Sequence, residues 1–110
     1  MTTRRKQHEL AAKAAGLAIT WKTGHCKGGE FEAAFVDDKP WRPKDSNGDA
    51  LQLCVKLNMD IGMDFDRIEV FYGQGEVIVE YLYENPPTDK LAATRLAIFR
   101  AAIEMGKAMP

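Results

Sequence analysis

The stretch from Trp41 to Leu57, WRPKDSNGDALQLCVKL, constrains the fold of this chain most strongly. A polar loop rich in turn residues leads directly into an amphipathic helical pattern. Pro40 and Pro43 exclude a helix or a central strand within the loop, because proline lacks a backbone N–H donor and restricts φ. The sequence therefore predicts a crossover followed by a helix over residues 48–59.

The start of that helix carries several residues that can cap it. Ser46 and Asp49 have the spacing of a capping box in which Asp replaces the preferred Glu, and Asp45 or Asn47 could provide the cap instead. On a helical wheel the apolar residues share one face: Ala50, Leu53, Cys54 and Leu57. The thiol of Cys54 is therefore predicted to point toward the core.

Helical and alternating apolar patterns define the remaining elements. We predict a first helix from Thr3 to Gly16, strands over 17–22 and 31–36 joined by the loop TGHCKGGE, strands over 67–72 and 76–83, and a last helix from Lys90 to Gly106. The segment NMDIGMDFD, residues 58–66, is predicted to be a connection.

The predicted order is α-β-β-α-β-β-α within a single domain, residues 1–110. Short connections favour antiparallel hairpins, so the predicted fold class is α+β, with one four-stranded, largely antiparallel sheet packed with three helices. An α/β/α three-layer arrangement is the alternative.

Charge and cysteine content exclude several functional classes. Fifteen basic and 16 acidic residues give a formal net charge of −1, so no whole-protein positive field draws the chain to nucleic acid or an anionic membrane. Two cysteines are too few for a disulfide scaffold, and no stretch approaches the roughly 20 apolar residues that span a bilayer. We expect reduced thiols, no membrane insertion, a cytoplasmic location, and a monomer or small homo-oligomer.

Two motifs for phosphate or metal binding are incomplete. The glycines from Gly24 to Gly29 match the spacing of a phosphate loop, but the lysine, the hydroxyl and the helix that follow such a loop are missing. A calcium loop would begin at Asp45, but Ala50 and Lys56 stand where its glycine and bidentate acid belong. We therefore predict no cofactor and no metal.

His25 and Cys26 form the one adjacent pair of nucleophilic or metal-ligating side chains. Neighbours in an extended segment point to opposite sides, and no third group nearby would orient them. An exposed thiol is therefore favoured over a catalytic one, and no catalytic residue is predicted.

Three charged or aromatic features are candidates for binding. The basic run Arg4, Arg5 and Lys6 could contact phosphate or an acidic partner. Trp41 could lock the crossover onto the core, which is favoured, or anchor a partner. Arg95 falls inside the apolar arc of the last helix, so it needs partners of its own.

The charge of Arg95 has two interpretations. In the favoured one its stem packs and its head reaches solvent or an acid such as Asp45, Asp49 or Glu80. In the other, it binds a carboxylate or phosphate of a ligand at the domain edge.

Three segments, HELAAKAAGL, WRPKDSNGDALQLCVKL and AATRLAIFRAAIEMGKAM, resemble in this order small phage and prophage proteins of unknown function. The likeness is to the phage ABA sandwich domain family and, more distantly, to NinX-like phage proteins. It implies a phage or prophage origin, residence in the bacterial cytoplasm and a layered fold in which helices cover both sheet faces. It carries over no catalytic residue, because none is established for such proteins.

The function predicted from these observations is that of a non-enzymatic accessory protein that binds a host or phage protein. Trp41, Arg95 and the crossover over residues 40–47 are the contact candidates. Nucleic-acid binding through the basic N-terminus, and a small enzyme with a site near Cys26, are the alternatives.

Overall fold

The computed structural model of the chain describes residues 3–63, 67–72, 76–82 and 90–110, with the backbone alone for residues 72 and 76–82. These residues form three helices and six strands: α1 (Arg4–Ala15), β1 (Thr20–Cys26), β2 (Gly29–Val36), β3 (Lys39–Pro40), α2 (Asn47–Lys56), β4 (Met59–Met63), β5 (Arg67–Tyr72), β6 (Glu76–Leu82) and α3 (Lys90–Ala108). The α+β class and the order of the predicted elements are confirmed. Two strands, β3 and β4, are additional.

Helix α1 begins and ends where its capping residues predict. The hydroxyl of Thr3 accepts a hydrogen bond from the backbone N–H of Lys6. Gly16 adopts a left-handed φ of 67° and returns its N–H to the last turn of the helix. Glycine suits this position because it carries no Cβ to clash in the left-handed conformation.

The first sheet has the strand order β1-β2-β3. The predicted loop TGHCKGGE is wrong over most of its length, because β1 and β2 stay paired as far as Cys26 and Gly29 and leave Lys27 and Gly28 as the turn. Most side chains of this hairpin are exposed on both faces, so no apolar alternation marks its outer half. A sequence pattern that depends on one buried face cannot detect such strands.

A tight turn at Asp37 and Asp38 connects β2 to β3. Both aspartates have a positive φ, 52° and 62°, which is the backbone of a two-residue hairpin turn that follows the twist of the strands. Pro40 lies in β3 at the edge of the sheet, where the missing N–H breaks no ladder.

The second sheet has the strand order β4-β5-β6 and is also antiparallel. The prediction of a connection over residues 58–66 is wrong for Met59–Met63, which pairs along its whole length with β5. The described strands therefore form two three-stranded sheets and not the predicted single four-stranded sheet. The physical reason is that each predicted hairpin pairs with the short strand next to it in sequence, and α2 separates the two sets along the chain.

Helix α3 is the centre of the fold and packs against α1, α2, β5 and β6. The prediction that this helix ends at Gly106 is wrong, because the helix continues to Ala108 and Gly106 lies inside it. A Cβ at Gly106 would lie 2.1 Å from the backbone oxygen of Leu10, so glycine is required there by the close approach of α1. The largest fully buried side chains are Phe99, Leu53, Ile68, Val70 and Pro43.

Candidate functional site

Arg95 lies on α3 and binds the crossover that precedes α2. Its Nε donates a hydrogen bond to the backbone oxygen of Lys44 at 2.8 Å, and its Nη1 donates to Oδ1 of Asn47 at 2.6 Å. Both acceptors are neutral. Among the described residues no carboxylate lies within ion-pair distance of this guanidinium, so the predicted pairing with Asp45 or Asp49 is not found. The side chain of Glu80, the third predicted acid, lies outside the described residues.

The carboxylate of Asp49 binds the backbone of the crossover and not Arg95. Its Oδ2 accepts a hydrogen bond from the backbone N–H of Arg42 at 2.8 Å. The Asp49 N–H in turn donates to the hydroxyl of Ser46, which confirms Ser46 as the N-cap of α2. The crossover is therefore held at both ends, by Asp49 from α2 and by Arg95 from α3.

A shallow groove of about 240 Å³ lies between α2 and α3, beside Arg95. Its lining is mostly apolar: Asn47, Ala50, Leu51, Leu91, Thr94, Arg95 and Ile98. Leu51 is 62% exposed and Leu91 is 61% exposed, while Val55, one turn beyond Leu51 on the same side of α2, is 70% exposed. We call the surface formed by Leu51, Val55, Leu91 and Arg95 the α2–α3 face.

Trp41 is buried, with 6% of its surface exposed, and its backbone N–H donates to the oxygen of Ala34 in β2. Its indole lies 6.0 Å from the imidazole of His8, measured between ring centroids. The side chain thus locks the crossover onto the core, which is the favoured of its two predicted roles. It leaves little indole surface for a partner to contact.

His8 is a buried polar residue that belongs to none of the predicted sites. Its ring lies 4.9 Å from Phe99 and 5.8 Å from Trp21, in addition to its contact with Trp41. Nδ1 lies 2.8 Å from the backbone oxygen of Arg4, which can only accept, so Nδ1 carries the proton. Burial lowers the pKa of His8 from its ordinary value, because the charged imidazolium is poorly solvated there.

The periodicity of α1 is the signal that could reveal His8. The buried residues of this helix are His8, Ala11, Ala12 and Ala15, which share one face at helical spacing. Trp21 is partly buried against this cluster. Its Nε1–H is buried and has no acceptor within the described part of the chain.

The basic N-terminal run contacts the first hairpin. Nη1 of Arg4 donates to the backbone oxygen of Glu32, and Nη1 of Arg5 lies 2.9 Å from the Glu32 carboxylate. Arg5 also pairs with Glu9 and stacks over the ring of Trp21. Lys6 is exposed. Two of the three side chains of the basic run thus have acceptors within the chain.

The His25 and Cys26 pair lies at the tip of the first hairpin. The Cys26 thiol is exposed and donates to the oxygen of Gly29 at 3.4 Å, and Nδ1 of His25 lies 3.9 Å from a carboxylate oxygen of Glu30. These are cross-strand contacts between exposed side chains. In the segments that the structure describes, no three His, Cys, Asp or Glu side chains are close enough together to hold a metal ion.

A second, larger cleft of about 510 Å³ lies between the β2–β3 turn and α2. Trp41 and Leu53 lie at its apolar side, while Asp37, Lys39 and Lys56 contribute charges of both signs.

Comparisons of this chain with protein-family models, with curated proteins and with solved structures gave no match. Among the helices of the described segments, none combines the length and the apolar character that a membrane crossing requires.

Proposed function

We propose that this chain is a non-enzymatic protein-binding module and that the α2–α3 face is its binding surface. The observation that carries the proposal is the exposure of Leu51 and Leu91 at one groove, with Val55 exposed one turn beyond Leu51 on α2. Single exposed apolar residues are ordinary on protein surfaces, but a contiguous apolar patch beside a groove marks interaction sites.

The energetics of burial favour the same surface. Full burial of one large aliphatic side chain contributes about 1.5–3 kcal/mol, so covering Leu51, Val55 and Leu91 supplies a substantial part of a binding free energy. The crossover held by Arg95 and Asp49 gives this surface a fixed boundary, and a surface that is ordered before binding loses less conformational entropy on association.

The partner in this proposal is a host or phage protein in the bacterial cytoplasm, in keeping with the resemblance of the helical segments and the crossover to small phage proteins. Trp41 then acts indirectly, by fixing the crossover, and Arg95 is the member of the predicted contact set that borders the binding surface.

The test is affinity capture from infected or lysogenic bacteria with matched surface variants as bait. Leu51→Glu and Val55→Glu place a charge on the face, and Met63→Glu, at a residue that is 61% exposed on β4, is the control. We expect a protein that wild type and Met63→Glu retain and that both face variants lose, and the same order of affinities in titration calorimetry with that protein purified. Equal capture by all four baits would contradict the proposal.

A further inference from the structure

The α2–α3 face places one fixed positive charge beside an apolar groove. Among the described residues that line the groove, Arg95 is the one charged side chain and no acid is present. Its two hydrogen bonds go to the neutral oxygens of Lys44 and Asn47, which orient the guanidinium without neutralising it. A guanidinium has further N–H donors in the same plane, so it can receive a carboxylate while keeping both bonds.

The shape of the groove favours a helix as its occupant. Two helices, α2 and α3, form its sides, and Leu51 and Val55 project from successive turns of α2. A third helix that packs here presents an apolar stripe at i, i+3, i+4 and i+7, which is the usual way an amphipathic helix fills a groove between two others.

We infer that the α2–α3 face binds an amphipathic α-helix of the partner protein, and that an Asp or Glu beside the apolar stripe of that helix pairs with Arg95. This inference rests on the proposed function and names the chemistry of the partner. The apolar stripe supplies the buried area, and the carboxylate selects the partner and fixes its register against α3.

A second copy of the chain and an anionic lipid surface both fit the charge of the groove less well than an acidic helix does. A second copy related by a two-fold axis brings the same patch against itself, so each Arg95 would meet a lining whose described residues include no acid. An anionic lipid surface is bound by several basic side chains around an apolar face, whereas Arg95 is the one basic side chain in the described lining of this concave groove.

The experiment is a selection from a displayed library of peptides on a stable helical scaffold with one randomised face, using the full-length chain as bait. Peptides enriched on wild type should carry an apolar stripe and Asp or Glu at one constant position. Exchange of that acid for its amide should weaken binding roughly tenfold or more on wild type, as expected for a charged hydrogen-bonded pair.

Variants of the chain then assign the contact. On Arg95→Met the same exchange of acid for amide should change affinity less than about twofold, and Arg95→Lys, which keeps the charge without the planar fork, should retain part of the preference. Leu51→Glu should abolish binding of the selected peptides, and Met63→Glu should leave it unchanged. Circular dichroism of each variant establishes that it is folded.

Several outcomes would overturn the inference. These are enrichment of no helical peptide, enrichment without preference for an acid, and an acid preference that persists in Arg95→Met. Concentration-dependent dimerisation, or binding to phosphatidylglycerol vesicles, that Leu51→Glu abolishes would assign the face to a different occupant. If affinity capture depends on Leu51 while the selection shows no acid preference, the proposed function stands and this inference fails. If neither affinity capture nor peptide binding depends on Leu51, the proposed function and this inference both fail.

Discussion

The two ends of α3 are built on opposite principles. Toward its C-terminus the helix carries small buried residues such as Ala102 and Gly106, and its backbone meets that of α1 at Leu10. Toward α2 the first turns of the helix carry Leu91, which is largely exposed, and Arg95, which reaches a loop through hydrogen bonds. The C-terminal end is covered by α1. The first turns leave apolar surface exposed, and this difference separates the end of α3 that stabilises the fold from the end that we propose for binding.

The largest expected effect on stability is at Gly106, where α3 packs against α1. Gly106→Val inserts a branched side chain where even a Cβ would collide with the backbone oxygen of Leu10, so the helices must separate. We expect the free energy of unfolding to fall by about 3 kcal/mol or more, measured by urea denaturation. Gly48→Ala is the control, because a Cβ at Gly48 in α2 would lie 3.8 Å from the Ser46 hydroxyl, an ordinary van der Waals contact. Equal stability of Gly106→Val and wild type would show that this contact is not tight.

An intermediate effect is expected at Arg95. Arg95→Met removes two hydrogen bonds to neutral, partly exposed acceptors, so the free energy of unfolding should fall by about 1–2 kcal/mol in chemical denaturation. A buried acid left without its partner would cost about 3–5 kcal/mol, and a loss of that size would indicate an ion pair. Arg95→Lys should recover part of the loss. An unchanged free energy of unfolding would mean that the hydrogen bonds of Arg95 do not stabilise the crossover.

The buried His8 predicts that the free energy of unfolding depends on pH. Because burial lowers the pKa of His8 in the folded state, the unfolded chain binds a proton more readily, and stability should fall as the pH drops through the ordinary histidine pKa near 6.5. Above that pH this contribution is fully present. His8→Gln should flatten the slope of unfolding free energy between about pH 7 and 5, whereas His25→Gln, at an exposed residue, should retain it. The same slope in His8→Gln and wild type would refute this account.

The smallest expected effect on stability is at the exposed Leu51. Leu51→Glu changes a residue that is 62% exposed, so the free energy of unfolding should change by less than about 0.5 kcal/mol while partner binding is lost. Thermal unfolding of the purified variant measures the change in stability. A large loss of stability would mean that Leu51 belongs to the core and not to a binding surface.

Local signals in the sequence predicted much of this fold. Thr3, Ser46 and Gly16 cap helices as their residue types indicate, and the inward face of α2 follows from apolar spacing alone. The same helical wheel leaves Leu51 and Val55 off that inward face, so apolar spacing also carries the signal of the exposed patch on α2.

Other features depend on contacts between distant parts of the chain. One of the two acceptors of Arg95 is the backbone oxygen of Lys44, and a carbonyl common to all residues leaves no mark in a sequence. β4 alternates Met59, Ile61 and Met63 with Asp60 and Gly62, but its position among polar and glycine residues resembles a connection. The choice of two sheets over one depends on which strands pair, and residue types specify that weakly when the strand faces are exposed.

The backbone contact between Gly106 and Leu10 has a consequence for how quickly a partner can dock. It holds the C-terminal half of α3 against the backbone of α1, so we expect α3 to offer a partner a rigid platform beside its first turns. For such a platform the rate of complex formation is set by diffusion and orientation, with no preceding conformational step. Differences in affinity among partners would then arise in their dissociation rates.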